Sequence, residues 1–243
     1  MARIGVIGSE GRMGEALARA IPALGHELAG GVDRGHDVSR LADASDVLVD
    51  FSAPGALRSN LHAAIGAGIP MLVGTTNLSD EQHLAIDHAA QAVAVLQTGN
   101  TSLGVTLLAH LVGEAAKRLG PDWDIEVLEM HHRAKVDAPS GTALLLGEAA
   151  AAARGIYLGG EDMESGRHGH TGARREGAIG FAALRGGTVA GEHSVILAGE
   201  QERITLAHVA EDRAIFARGA VKGAEWLIGK GAGRYTMQDV LGL

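Results

Sequence analysis

The sequence predicts an α/β protein in two parts: a doubly wound domain on a parallel sheet, and a second α+β domain with a mixed, open sheet. Three observations carry that expectation. Short apolar β-like runs alternate with helical stretches from residue 2 to about 100. Beyond about residue 178, strand-like runs follow one another with no helix between them. Finally, 36 glycines accompany only 3% aromatics, so small aliphatic side chains and close backbone contacts must do the packing.

Residues 3–7 form the first apolar run, and Ala16, Leu17, Ala20 and Ile21 mark one face of a helix that Pro22 is expected to end. Strands are expected near 28–32 and 46–51. A helix over about 54–67 precedes a strand at 70–74, and a helix from about Ser79 precedes one at 93–96. Runs this short read as βαβ units whose strands are covered on both faces. In the second half a helix over 103–119 leads to a strand at 124–130, and another helix covers about 140–153. The Gly-, Arg- and His-rich stretch 155–177 reads as a long loop, followed by strands at 178–184, 191–197 and 202–207. A last helix, about 213–228, is expected to return to the first domain. The chain thus divides into 1–102 with 212–243, and 103–211.

Composition removes several function classes. Lys and Arg total 21 against 29 Asp and Glu, a formal charge of −8, and both nucleic-acid and anionic-membrane binders need a basic face. With no cysteine there are no disulfides, thiolate nucleophiles or Cys-based zinc sites. Ala2-Arg3-Ile4 leads straight into a strand with no apolar leader, and no apolar run approaches the roughly 18 residues of a membrane span. A cytoplasmic protein with no nucleic-acid or membrane partner is expected.

The glycine-rich segment Gly8-Ser9-Glu10-Gly11-Arg12-Met13-Gly14 follows the first strand and opens the first helix. A pyrophosphate needs a tight turn, close backbone approach and helix-terminal N–H groups, and glycines at this spacing supply them. Asp33 ends the next strand, nineteen positions past Gly14, where a carboxylate can accept from ribose hydroxyls. Arg34 beside it suits a 2′-phosphate. The pair predicts use of both NADH and NADPH, with NADH somewhat preferred. Gly74-Thr75-Thr76 and Thr98-Gly99-Asn100-Thr101 each follow an apolar strand. In a Rossmann-like sheet such carboxyl-end loops should meet at the nicotinamide.

Residues 129–143 read Glu-Met-His-His-Arg-Ala-Lys-Val-Asp-Ala-Pro-Ser-Gly-Thr-Ala. His131, His132 and Lys135 fall at a strand end, and Ser140, Gly141 and Thr142 at the start of a helix. Hydroxyls, a glycine and the N–H groups of a helix N-terminus can hold a carboxylate, so an acidic substrate is expected. Lys135 and His131 are the candidate proton donors.

Taken together these motifs resemble the dihydrodipicolinate reductase family over essentially the whole chain. The resemblance runs through residues 8–14, 74–76 and 131–143, then Gly169-His170-Thr171-Gly172-Ala173-Arg174, Ile179-Gly180-Phe181, Gly191-Glu192-His193 and residues 213–220. It implies hydride transfer from a nicotinamide to C4 of a cyclic imine dicarboxylate, 4-hydroxy-tetrahydrodipicolinate, with loss of water, in lysine/diaminopimelate biosynthesis. It puts His131 at the acid/base position, Lys135 at the general-acid position, and His132, Lys135, Ser140, Gly141 and Thr142 at substrate positions. It assigns Gly8, Ser9, Glu10, Gly11, Arg12, Met13, Asp33, Arg34, Gly74, Thr75, Thr76, Thr98, Gly99, Asn100 and Thr101 to the cofactor. It implies a homotetramer assembled through the second sheet; from the residues themselves no metal is expected. One departure stands out: members commonly read Ala-Pro-Asn-Phe-Ser where this chain has Thr98-Gly99-Asn100-Thr101-Ser102, which lacks the stiffening Pro and the apolar Phe.

Arg174 and Arg213 are candidates for the dicarboxylate, because an Arg fork suits such groups, with a structural ion pair the alternative for each. His168 and His170 sit in the Gly-Arg-rich loop, where a solvated or gating role is expected rather than a metal site. Three other functions fit the sequence less well. A related imino- or amino-acid dehydrogenase has no need of the Lys135 block. A metal hydrolase would need a spacing such as H-E-x-x-H, which the 12 histidines do not provide. A non-catalytic dinucleotide sensor would have no use for a proton donor.

Overall fold

The structure, a computed structural model, describes residues 1–243. It divides into two compact units, Met1–Leu103 with Ala214–Leu243, and Gly104–Arg213. In chain order the first unit begins β1 (Arg3–Ile7), α1 (Arg12–Ala23), β2 (Glu27–Val32), α2 (Val38–Asp43) and β3 (Val47–Asp50). A 3₁₀ turn (Pro54–Ala56), α3 (Leu57–Ala67), β4 (Met71–Val73), α4 (Asp80–Ala89) and β5 (Ala94–Gln97) follow. The second unit holds α5 (Leu103–Leu119) from its second residue on, then β6 (Asp124–His131), α6 (Gly141–Arg154), β7 (Met163–Ser165), β8 (Ile179–Arg185), β9 (Gly191–Gly199) and β10 (Glu202–Ala210). The chain then returns to the first unit through α7 (Ala214–Leu227), β11 (Gly233–Tyr235) and α8 (Met237–Leu241).

The first unit is a six-stranded sheet, order β11-β5-β4-β3-β1-β2, in which every pairing is parallel. All four residues of β3 are buried, as a strand covered on both faces requires. Val47 and Val49 join Leu17, Ile21, Ala220 and Val221 of α1 and α7 on one face. Leu48 joins Leu41 of α2, Leu57 and Leu61 of α3 and Ile86 of α4 on the other. The chain runs from β1 outward to β2 and then back to β3 on the other side, which opens a crevice at the carboxyl ends of β1 and β3.

The second unit is a five-stranded mixed sheet, order β10-β9-β6-β8-β7. β6, β7 and β8 run parallel to one another, while β9 is antiparallel to both β6 and β10. Burial alternates strictly along β6, and Ile125 and Val127 point into a core shared with α5 and α6. Glu129 and His131 continue that inward row, which brings two polar side chains to the end of an apolar face.

Local differences from the sequence pattern have simple causes. Pro22 lies inside α1 but one residue from its end, so it removes only the last-turn hydrogen bond to the Ala18 carbonyl and has almost no helix beyond it to break. Helix α2 has six residues, too few to show a period, and rests on Asp37 as its cap. The 155–177 stretch contains β7, whose three residues form a strand only by pairing with β8. β11 is likewise three residues, added at the edge of the first sheet beside β5. No helix is long and apolar enough to cross a membrane.

Candidate active site

In the first unit the glycine turn is built by close approach. Gly8 has φ +84°, and a Cβ there would lie 2.7 Å from the Phe51 carbonyl oxygen. A Cβ on Gly14 would collide with the carbonyl oxygens of Gly8 and Ser9. Gly11 is the N-cap of α1 and brings no side-chain cap, so the first-turn N–H groups stay free to meet an anion. Asp33 Oδ2 accepts from Ser9 Oγ at 2.6 Å and Glu10 N at 3.0 Å, which ties the strand end to the turn. Gly8, Gly11, Asp33, Arg34, Phe51 and Ser52 line one cleft of about 520 Å³. Glu10 and Arg12 are exposed on the turn, and Met13 packs against the core with its side chain.

A buried carboxylate, Asp50, organises the next loops. Its Oδ1 accepts from Ser52 N at 2.8 Å and Ser52 Oγ at 2.6 Å, with Thr75 Oγ1 at 3.5 Å, and its Oδ2 accepts from Asn60 at 3.1 Å. Burial pushes the Asp50 carboxyl up from its ordinary value, against the pull of those donors. Gly74 donates to the Asp50 carbonyl and faces the Phe51 ring, where any Cβ would overlap it, while Thr76 is exposed. In the 98–101 loop, Thr98 Oγ1 donates to the Asn100 carbonyl at 2.8 Å and accepts from Asn100 N at 3.1 Å. Asn100 Oδ1 accepts from Ser102 N at 2.9 Å. Side-chain hydrogen bonds thus brace a turn that has no proline. Thr101 turns inward, buried, with its hydroxyl on the Phe216 carbonyl at 2.7 Å, while Phe51 lines the cleft beside the glycine turn.

In the second unit the centre is Glu129, only 1% exposed. Its Oε2 accepts from His131 Nδ1 at 2.6 Å and Arg185 Nη1 at 2.7 Å. Its Oε1 accepts from Arg185 Nη2 at 2.8 Å and Ser140 N at 3.2 Å. Burial raises the Glu129 carboxyl, but Arg185 and His131 outweigh it and hold the group below the usual carboxylate value. Ser140 caps α6 by accepting from Ala143 N at 3.2 Å, and its Oγ meets His193 Nε2 at 3.0 Å. His193 stands opposite Glu129 on β9 and meets the His131 ring edge-on at 5.1 Å. Burial, helped by the charge of His131, lowers the His193 pKa to about 4. Lys135 Nζ bonds both Asp137 oxygens at 2.8 and 2.7 Å, and that ammonium holds the Asp137 carboxyl below its usual value. Arg213 donates to His132 Nε2 at 3.1 Å, and desolvation together with the Arg213 charge lowers the His132 pKa. A Cβ on Gly191 would lie 3.0 Å from His131 Nε2, so the glycine keeps that nitrogen clear.

The structure therefore gathers His131, His132, Lys135 and Ser140–Thr142 around one loop of the second unit, with Arg213 beside His132. Arg174 goes elsewhere: it pairs with Asp124 at 2.8 Å and Glu126 at 2.9 Å and bonds the carbonyls of Ile125 and Ala178, a structural anchor for the long loop. His168 and His170 are exposed on that loop. No group of three His, Asp or Glu side chains is placed to hold a metal ion. Sequence reasoning missed Asp50, Glu129, Arg185 and His193 as site residues. The one available signal was the Glu129-x-His131 spacing on a strand, which puts both side chains on one face.

A glycine turn at the crevice of a parallel sheet, and in the other unit a proton-handling cluster at a helix N-terminus, define an oxidoreductase of Rossmann-like build. The family model described as "Dihydrodipicolinate reductase, N-terminus" matches residues 2–101, and "Dihydrodipicolinate reductase, C-terminus" matches residues 104–241. The chain belongs to the dihydrodipicolinate reductase family. It is 52% identical over 249 residues to the 4-hydroxy-tetrahydrodipicolinate reductase of Zymomonas mobilis, covering 99% of this chain and 97% of that one. Among solved structures it resembles the dipicolinate-bound dihydrodipicolinate reductase of Paenisporosarcina sp. TG-14, with TM-score 0.78, 20% identity and 98% of both chains covered. A more distant likeness is to GenD2 from gentamicin A biosynthesis in complex with NAD, with TM-score 0.57, 16% identity, and 99% and 91% covered.

Proposed function

We propose that this chain reduces 4-hydroxy-tetrahydrodipicolinate to tetrahydrodipicolinate, in lysine/diaminopimelate biosynthesis, with a nicotinamide dinucleotide as reductant. The observation that carries the reading is the origin of the chemistry in one short segment. Two imidazoles, an ammonium and the N-terminus of a fourteen-residue helix all arise between residues 131 and 141. Such a segment suits an acidic substrate that must gain a proton.

Residues 8–13, Asp33, Arg34, 74–76 and 98–101 are the proposed dinucleotide site, and the uncapped start of α1 fits a pyrophosphate. Bound there, the reduced nicotinamide supplies the hydride. Asp33, fixed by Ser9 and Glu10, suits the ribose hydroxyls of NADH, and Arg34 on the same cleft suits the extra phosphate of NADPH, so both serve and NADH is somewhat preferred. Ser140, whose own N–H and hydroxyl are engaged by Glu129, Ala143 and His193, sets the helix start from which Gly141 and Thr142 present N–H groups to a substrate carboxylate, with His132 and Arg213 alongside. Lys135 donates the proton that accompanies hydride at C4 of the cyclic imine dicarboxylate. His131, clear at Nε2, serves as the acid/base partner while water is lost. No metal takes part in this scheme.

The second unit is also the proposed assembly surface of a homotetramer, supported by exposed Leu184, Ile204 and Val209 on its sheet. The cytoplasm is the proposed location. The test is loss of NADH and NADPH absorbance with freshly generated 4-hydroxy-tetrahydrodipicolinate. His131→Ala and Lys135→Met should each lower kcat by roughly 10²–10⁴-fold. Turnover of either variant within a few fold of wild type would refute its role.

A further inference from the structure

We infer that Glu129 and Arg185 form a positioning pair. The pair holds the His131 proton on Nδ1, so that Nε2 is the nitrogen exchanging protons, and fixes His131 against the start of α6. The inference rests on the reading of His131 as the acid/base group. It concerns two residues that touch neither substrate nor cofactor in that reading.

An ionised carboxylate offers about four lone-pair sites and no donor. All four of Glu129 are filled, by His131 Nδ1, by the two Arg185 nitrogens and by Ser140 N. Because Glu129 can only accept, the proton in the 2.6 Å contact belongs to His131 Nδ1. Because every site is occupied, Glu129 has no vacancy to act as a base itself. A neutral His131 must therefore present an acceptor at Nε2, and a protonated one must present a donor there. This is the nitrogen that Gly191 leaves clear.

Arg185 does more than neutralise. Parallel pairing of β6 with β8 sets Arg185 opposite His131, which lets its fork reach Glu129 bidentately. The same guanidinium donates to the Asp137 carbonyl at 2.7 Å and the Leu184 carbonyl at 2.6 Å. Glu129 in turn accepts from Ser140 N. One ion pair thus binds the imidazole, the backbone between Lys135 and α6, and the N-cap residue of α6.

The test compares Glu129→Gln and the double variant Glu129→Gln/Arg185→Met with wild type and His131→Ala. In ¹H–¹⁵N spectra the wild type should show a low-field imidazole N–H that is absent in His131→Ala, which assigns it to His131, and its correlations to the ring carbons should place it on Nδ1. That signal should vanish or move far upfield in Glu129→Gln and in the double variant. The kcat of each should fall roughly 10²-fold, the low end for one positioned proton transfer. KM for NADH should stay within about two-fold, because the cofactor residues belong to the other unit. The double variant leaves no unpaired buried charge, so it separates a folding defect from lost positioning. A folded double variant with wild-type kcat overturns the inference, as does a low-field signal that survives in Glu129→Gln. Full activity in His131→Ala would refute the acid/base reading instead, and the N–H signal would still report on Glu129.

Discussion

Acid should weaken the second unit through a single buried ring. His193 is 5% exposed, and burial holds its pKa near 4, against 6.5 in an unfolded chain. Between those values the unfolded state binds more protons than the folded one, so stability falls as pH drops. The His193 contribution is complete above about 6.5 and gone below about 4. A depression of this size is worth about 3 kcal/mol at 1.36 kcal/mol per unit. The perturbation is His193→Gln, whose amide can still face Ser140 but does not titrate. The assay is urea unfolding followed by tryptophan fluorescence between about pH 7 and about pH 4.5. The chain has two tryptophans, Trp123 packed in the second unit's core and Trp226 in the first unit. A Trp226→Phe background therefore leaves Trp123 to report on the unit containing His193. The wild-type background should lose about 2–3 kcal/mol more than the His193→Gln chain over that range. Parallel curves would mean that the ring does not titrate across the window, and would refute the reasoning.

Other outcomes follow from the same geometry. Ser140→Ala removes the α6 cap, worth about 1 kcal/mol, and strips His193 of its partner, worth about 1–3 kcal/mol more; calorimetry should show the lower midpoint. The same variant should raise KM for the dicarboxylate more than KM for NADH. Gly14→Ala forces a Cβ into the Gly8 and Ser9 carbonyls, so the turn must open, and titration calorimetry should find NADH binding weaker by about tenfold or more. Arg34→Ala should raise KM for NADPH by about tenfold while leaving that for NADH within about two-fold, the mark of a lost charge-assisted phosphate contact.

The departure at 98–102 shows how local chemistry can replace an expected residue. Without the proline, Thr98 and Asn100 close the turn by their own side chains, and Thr101 becomes a buried anchor on Phe216. None of this is visible from residue types alone, because a threonine in a loop can face either way. Arg174 makes the same point. Its type suited a dicarboxylate or an ion pair equally, and only the folding of the long loop onto β6 brought it to Asp124 and Glu126.

Features that depend on near neighbours were legible without coordinates. The glycine turn after β1, the Asp33 strand end, the capped start of α6 and the 131–142 segment are each contiguous or set by the period of one element. The same holds for the parallel character of the first sheet, since short apolar strands alternating with helices admit little else. Tertiary structure decided what joins distant positions. Glu129 meets Arg185 across 56 residues, Ser140 meets His193 across 53, and Asp50 meets Thr75 across 25. Three-residue strands such as β7 and β11 exist only because a neighbour supplies their hydrogen bonds. A sequence specifies local conformation through side-chain sterics and spacing. A buried carboxylate's partners are set by strand register, which no single segment contains.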